Sequence, residues 1–449
     1  TFVLADGTPL TPEELSGRLH VATLDELVQL GVIRTQNALL EVDVTQVFDR
    51  HDAWYDALGR LLEVRENSTE PASGLQLSNH TFGMTYDSKG RLNSRFFIAR
   101  QHGEGARTAL SLAATGEEMD ALELYELVRE SGKSLGELLA AGIVRRETLL
   151  VLIDPWTPRT TFTARLGTEY YDSDLASGSE EWISTSGFGP ERDGITERVV
   201  SSLNRYNGAG QLEGQFVRSH RTGSSVKREY RTADGGELTD AALRRMFEEN
   251  NTDSLAALRN SGRIVQTKRS FKVDELTDEY RSGLTYDPFT GQMNGQNAVT
   301  WTSESPLSIT ETRLEDAVYD SNLPLLSART ITRTDYQDGA ETSISDLWVA
   351  NTRDERGRLL YSVGAGTQTA SDVHGNRTES LLDQYSQGIL GEARIVLSAS
   401  QGVATEPDGS RYQVADHTAY GYSPEGTFLD TAGSSLRVGT DASGNWSST

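Results

Sequence analysis

The chain has 449 residues, and its 66 aspartates and glutamates outweigh 42 lysines and arginines to give a formal net charge of −24 at pH 7. This acidic balance argues against a nucleic-acid backbone or an anionic membrane surface as a partner, and no apolar run approaches the roughly 18 residues of a membrane helix. The absence of cysteine excludes disulfides, thiolate-held metal sites and a cysteine nucleophile.

The first predicted unit combines a strand, a turn and two short helices. Residues 2–5 are strand-like, and residues 11–14 (Thr-Pro-Glu-Glu) combine an N-cap, a proline at the first helical position and two carboxylates in the first turn. Thr23 and Glu26 predict a capping box for a second helix that ends at Gly31. Helices of about two turns are unstable alone, so we expect this pair to pack on a sheet.

The same pattern returns twice along the chain, at residues 114–142 and 233–262, where Gly142 and Gly262 take the place of Gly31 as helix C-caps. The matching helix starts lie 111 and then 120 positions apart. A long, nearly fixed period is typical of tandem arrays that grow by copying one supersecondary unit. The sequence therefore predicts three tandem repeats, each with a short helix pair packed on antiparallel strands.

A strand-like run follows each helix pair, at residues 39–44, 149–153 and 265–273. After Trp301 no helical pattern returns, and alternating polar and apolar residues between Gly-rich turns predict an all-β region. The predicted fold class is a β-rich α+β protein. Its predicted parts are repeat 1 at 1–110, repeat 2 at 111–228, repeat 3 at 229–301, and an all-β region at 302–449.

A seven-residue motif, Tyr-Asp-x-x-Gly-Arg-Leu, recurs on a finer scale. Its clearest copies are residues 55–61 and 86–92, and looser ones lie at 206–212, 286–293, 354–359 and 422–426. It predicts a hairpin, because Asp or Asn can bond its own backbone to open a turn and Gly can supply a positive φ to close it. The predicted turn residues are Asp56, Gly59, Asp87, Gly90, Asn207, Gly210, Asp287, Gly291, Asp354 and Gly357.

This motif resembles the YD repeat of the RHS family of bacterial surface and toxin-delivery proteins. The resemblance covers a handful of seven-residue stretches, of which 55–61 and 86–92 match best. It implies β-strands that spiral into a large shell, which in the family sometimes encloses a toxin, and it implies a surface habitat.

No motif supports an enzyme. The seven histidines never take a zinc-binding spacing, and no Gly-x-Ser-x-Gly elbow or Walker loop occurs. The sequence therefore predicts no catalytic residue and no cofactor.

Calcium is kept as an alternative at one acidic loop. Asp172 and Asp174 resemble the start of a calcium-binding loop, but Gly178 falls at position seven rather than six and Ile183 stands where a glutamate is needed. A solvated acidic loop is the preferred interpretation.

Aromatic residues near turns leave glycan binding open. Trp54-Tyr55, Tyr170-Tyr171 and Trp182 could form a sugar-stacking platform, although aromatics beside turns more often anchor sheet cores.

Repeats without a chemical site favour a structural role. We expect an extracellular or cell-surface protein that self-associates into a filament, sheath or layer, with its terminal strands pairing with neighbouring subunits. The chain opens at Thr1 without an initiator Met or a signal peptide, so a processed product or an excised segment is expected. An adhesin or carbohydrate-binding repeat array and a YD-type toxin shell are the alternatives.

Overall fold

The computed structural model describes residues 2–4, 32–35, 49–69, 73–189, 192–250, 252, 255–288, 291–319, 325–336, 341–354, 357–443 and 446–448. The first predicted helix pair with Gly31, and the predicted strand at 39–44, lie outside these ranges.

The described residues are mostly strands, in keeping with the predicted β-rich class. The strands are β1 (Phe2–Leu4), β2 (Ile33–Thr35), β3 (Asp49–Tyr55), β4 (Leu61–Thr69), β5 (Gln76–Tyr86), β6 (Leu92–Leu112), β7 (Val144–Ile153), β8 (Arg159–Tyr170), β9 (Ala176–Ser186), β10 (Ile195–Tyr206), β11 (Leu212–Thr232), β12 (Ile264–Tyr286), β13 (Met293–Thr302), β14 (Ser308–Tyr319), β15 (Leu325–Tyr336), β16 (Glu341–Arg353), β17 (Leu359–Asp372), β18 (Arg377–Ile389), β19 (Glu392–Thr405), β20 (Arg411–Tyr422), β21 (Phe428–Thr440) and β22 (Trp446–Ser448). The helices are α1 (Ala121–Ser131), α2 (Leu135–Ala140), α3 (Asp240–Asn250) and α4 (Leu255–Asn260).

One large antiparallel sheet contains every strand from β3 to β22, and β1 pairs separately with β2. Most neighbours in the sheet are neighbours in sequence, because tight hairpins join them. The 21-residue strand β6 is the exception: β5 and β8 both pair with its first half, and β7 pairs with its second half. The sheet closes on itself where Ile389 of β18 lies opposite Arg107 of β6 and the Leu390 N–H donates to the Ala106 carbonyl at 2.9 Å.

The two described helix pairs each follow a long strand and precede its antiparallel partner. Helices α1 and α2 connect β6 to β7, and α3 and α4 connect β11 to β12. Asp120 forms a capping box with Glu123 at the start of α1, and Ser134 forms one with Glu137 at the start of α2. At the start of each helix, the capping residue and the glutamate three positions later thus satisfy backbone N–H groups locally.

The predicted helix C-caps lie just past their helices. Gly142 has φ +67° and follows the C-cap residue Ala141 of α2. Gly262 has φ +71°, and its N–H donates to the Arg259 carbonyl at 2.9 Å. Both glycines therefore occupy the left-handed position that ends a helix.

The main core forms where the C-terminal strands fold over α1 and α2. Leu122 and Val128 of α1 and Leu138 of α2 are almost fully buried, and they pack in one cluster with Leu397 of β19 and Ala419 of β20. The second helix pair joins this core through Leu255 of α4, which packs against the same cluster. The apolar faces of α1 and α2 thus pack against strands more than 200 residues further along the chain.

The divisions predicted from the repeat period do not coincide with gaps in the sheet. Positions 110 and 228 fall inside β6 and β11, and position 301 falls near the end of β13. Backbone pairing runs across all three positions, and the division into units remains a prediction.

Candidate functional site

The hairpin at Asp87 illustrates how the recurrent motif folds. Asp87 Oδ1 accepts hydrogen bonds from the N–H groups of Lys89 and Arg91, each at 2.9 Å, and Asp87 Oδ2 accepts from Arg91 Nε at 2.7 Å. The Gly90 N–H donates to the Asp87 carbonyl at 3.0 Å, and Gly90 has φ +83°. This is a three-residue loop closed by a left-handed glycine, a common hairpin connection. Hydrogen bonds from the Arg91 backbone and side chain lower the pKa of Asp87.

The same bonding recurs at other copies of the motif. Asp56 Oδ2 accepts from Arg60 Nε, and Asp354 Oδ2 accepts from Arg358 Nε, both at 2.7 Å. Asn207 Oδ1 accepts from the backbone N–H groups of residues 209 and 211, each at 2.9 Å. At Asp287 the inserted residue widens the loop, and the Gly291 N–H still donates to the Asp287 carbonyl at 2.9 Å. The glycines that close these turns all have positive φ: Gly59 +77°, Gly210 +79°, Gly291 +70° and Gly357 +79°.

The motif tyrosines link successive hairpins into a ladder. Tyr86 donates its hydroxyl hydrogen to the Leu61 carbonyl, and Tyr170 donates to the Leu92 carbonyl at 2.6 Å. In both cases the acceptor is the first residue of the returning strand in the preceding hairpin.

Two further bonds extend this ladder to five hairpins. Tyr206 donates to the Ala176 carbonyl and Tyr286 to the Leu212 carbonyl, both at 2.8 Å. We call this set of hairpins, at residues 55–61, 86–92, 170–176, 206–212 and 286–293, the hairpin ladder.

Arginines add a second link between hairpins. The Arg60 guanidinium lies over the Tyr86 ring, 4.8 Å from its centroid, and Arg91 lies over the Tyr170 ring at 4.5 Å. The arginine that bonds the aspartate of its own turn thus also contacts the tyrosine of the next hairpin. The hydrogen bond between the Arg91 side chain and Asp87 raises the pKa of Arg91.

A bulge precedes each tyrosine of the ladder, and the sequence pattern did not predict it. The residue three positions before each tyrosine has positive φ, and the strand pairing shifts register there. Such bulges redirect the strand and re-aim the side chains that follow. A glycine or aspartate three positions before the tyrosine is the signal that could have revealed it, although leucine stands there once. The bulge residues are Asp52, Gly83, Gly167, Leu203 and Gly283.

The acidic loop considered for calcium is the third hairpin of the ladder. Asp174, at φ +65°, takes the position that glycine holds in the other turns, and its Oδ1 accepts a 3.0 Å hydrogen bond from Arg91 Nη1. The Asp172 side chain is fully exposed and lies 4.0 Å from Lys89 Nζ. Within the described ranges no group of three or more His, Cys, Asp or Glu side chains could hold a metal ion.

A separate polar cleft lies where the two helix pairs meet the C-terminal strands. Its cavity of about 380 Å³ is bordered by Tyr230 and Gln266 from β11 and β12, and by Asp430 from β21. Asp430 Oδ2 accepts hydrogen bonds from the Tyr230 hydroxyl at 3.0 Å and from Gln266 Nε2 at 2.7 Å. The sequence did not predict this cleft, because its walls come from segments as distant in the chain as Arg107 and Asp430.

Charged pairs complete the walls of this polar cleft. Arg259 of α4 pairs with Asp120 at the start of α1, and Arg107 Nη2 donates to Glu118 Oε2 at 2.7 Å. Burial, reinforced by the neighbouring negative charge of Asp430, raises the pKa of Tyr230 to about 12. The Tyr230 hydroxyl is the donor in its hydrogen bond with Asp430.

The described helices are all too short or too polar to cross a membrane.

Comparisons with known proteins provide no family assignment. No family model matches the chain, and no curated protein matches it. Among solved structures, it is similar to the structure of a Photorhabdus luminescens Tc holotoxin pore, with 11% sequence identity and a TM-score of 0.10. That match covers 98% of this chain and 29% of the other. Likeness at this level is weak and establishes no common fold or function.

Proposed function

We propose that this chain is an extracellular structural repeat protein, a subunit or segment of a surface filament, sheath or layer. The observation that carries the proposal is the hairpin ladder, in which five hairpins are joined by one recurring tyrosine-to-carbonyl contact. A contact set that repeats between successive units of a chain suits a scaffold that grows by adding units.

The proposed tandem repeat has further support in the placement of the helices. The segment from β6 through α1 and α2 to β7 has the same order as the segment from β11 through α3 and α4 to β12. β6 and β11 are both 21 residues long, and α1 and α3 are both 11 residues long. Copying of one supersecondary unit accounts for this agreement.

Assembly through strand pairing is the proposed route to a polymer. Negative-stain electron microscopy of the native material, with the recombinant chain beside it, tests this directly. Filaments or sheets with a regular axial repeat are the expected result. Discrete particles of one size in both samples would refute the polymer.

Carbohydrate binding is the second candidate, and the polar cleft favours it. A cavity of about 380 Å³ that offers the planar polar groups of Gln266, Gln387 and Asp430 beside Tyr420 and Tyr422 has the composition of a sugar site. A glycan array followed by calorimetry would test it. Gln387→Ala should abolish any binding, whereas Gln401→Ala, outside this cleft, should not.

The YD-type toxin shell receives less support. An enclosed cargo needs a hollow interior, whereas α1 and α2 pack their apolar faces against β19, β20 and β21 in the main core.

A further inference from the structure

We propose that the outer edge of β3, together with Trp54 and Tyr55, binds one more hairpin of the Tyr-Asp-x-x-Gly-Arg-Leu type, supplied by another polypeptide. We call this surface the open rung. The inference rests on the hairpin ladder and goes beyond the proposed function, because it needs no filament.

The open rung is the exposed end of the ladder. Trp54 is 65% exposed and Tyr55 is 60% exposed, whereas the tyrosines of the next four hairpins are partly buried. Among the residues that the structure describes, β3 pairs only with β4, and the Tyr55 hydroxyl has no hydrogen-bond partner. A large aromatic pair on an unpaired strand edge is a typical binding surface.

The contacts inside the chain specify the occupant. Tyr55 occupies the same motif position as Tyr86, Tyr170, Tyr206 and Tyr286, each of which donates to the carbonyl that opens the returning strand of the hairpin before it. The bulge that precedes those tyrosines is present before Tyr55 too, at Asp52 with φ +50°. The open rung therefore continues an interface that the chain forms four times within itself.

A hairpin bound at the open rung would contribute three contacts. Its returning strand would run antiparallel to β3 and pair with its backbone, its first carbonyl after the Gly-Arg turn would accept from Tyr55, and its arginine would lie over the Tyr55 ring. These are the contacts that the hairpin at 55–61 makes to Tyr86. Strand addition supplies affinity through main-chain bonds, and the tyrosine and arginine contacts supply register.

The test uses the full chain and a fluorescein-labelled synthetic peptide of residues 86–102, which contains the turn and the first half of β6. Fluorescence anisotropy should show saturable binding. Tyr55→Phe should weaken it about fivefold, the value of one net hydrogen bond of about 1 kcal/mol, and an Arg91→Gln peptide should also bind more weakly. Trp54→Ser should reduce binding further because it removes apolar contact area.

The control variant is Trp156→Ser, which removes a 91% exposed tryptophan far from β3 in sequence and should leave binding unchanged. A scrambled peptide should not bind. The inference is overturned if no saturable binding occurs up to about 1 mM peptide, which corresponds to a binding free energy of about −4 kcal/mol, or if Tyr55→Phe and Trp156→Ser have the same effect. If the peptide binds but electron microscopy shows no filaments, the proposed binding surface at the open rung is supported and only the proposed polymer is refuted.

Discussion

Replacing Tyr170 by Phe tests whether the hairpin ladder stabilises the sheet. The substitution removes the hydroxyl that donates to the Leu92 carbonyl at 2.6 Å and keeps the ring under Arg91. A net hydrogen bond contributes about 1 kcal/mol, and a partly buried carbonyl left unpaired adds to the loss. We expect the free energy of unfolding to fall by about 1–2 kcal/mol, which is about 5- to 30-fold in the equilibrium constant.

Urea unfolding followed by circular dichroism measures this loss, and an unchanged slope would confirm that stability alone has changed. Hydrogen exchange should locate the faster opening at residues 87–92 and 171–176, the two hairpins that the hydroxyl joins. Tyr55→Phe is the matched control, because Tyr55 has the same motif position but its hydroxyl has no partner among the described residues. Equal losses in the two variants, or a neutral Tyr170→Phe, would show that the ladder bond does not contribute to stability.

Three further substitutions probe the turns, the core and the polar cleft. Gly90→Ala should lower the free energy of unfolding by about 1–2 kcal/mol, because Gly90 has φ +83°; the space around it is open, so backbone strain is the only cost. Gly208→Ala is the control and should be neutral in the same urea assay, because Gly208 lies in the equivalent loop of another hairpin without a positive φ. Leu138→Ala should lower the free energy of unfolding by about 2–5 kcal/mol, because it leaves a cavity in the core beside α2. Leu150→Ala, at a residue that is 65% exposed, should change the urea midpoint little. Similar midpoints for both variants would contradict the assigned core. Tyr230 holds its proton more tightly in the fold, with a pKa of about 12, than in the unfolded chain at about 10, so its stabilising effect is complete below pH 10 and is lost as pH rises toward 12. Tyr230→Phe should remove that part of the alkaline decline, and identical pH profiles for the two proteins would refute the shift.

Local chemistry made the turns and helix ends predictable from the sequence. Asp87 satisfies the backbone of its own loop within four residues, and Ser134 caps α2 through Glu137 three residues later. Interactions over such short distances leave a readable pattern, because the bonding residues keep a fixed spacing. The β-rich class followed in the same way from alternation and turn signals.

Other features depended on contacts between distant segments. The sequence placed Tyr170 and Leu92 in separate predicted units, and nothing in their spacing of 78 positions indicates that the hydroxyl of one bonds the carbonyl of the other. The bulge at Leu203 has no glycine or aspartate to mark it, so only the sheet around it reveals the left-handed conformation.

The hairpin turns, the capped short helices of the described pairs and the predominance of strands follow from residues close together in the chain, so they could be predicted from the sequence. Which hairpins stack, where the sheet closes, and that β20 and β21 cover α1 depend on the fold as a whole. The polar cleft belongs to the same class, because Tyr230 and Asp430 meet across 200 positions. Burial and strand pairing are selected by the shape of the whole sheet, whereas turn and cap bonds are complete within a few residues.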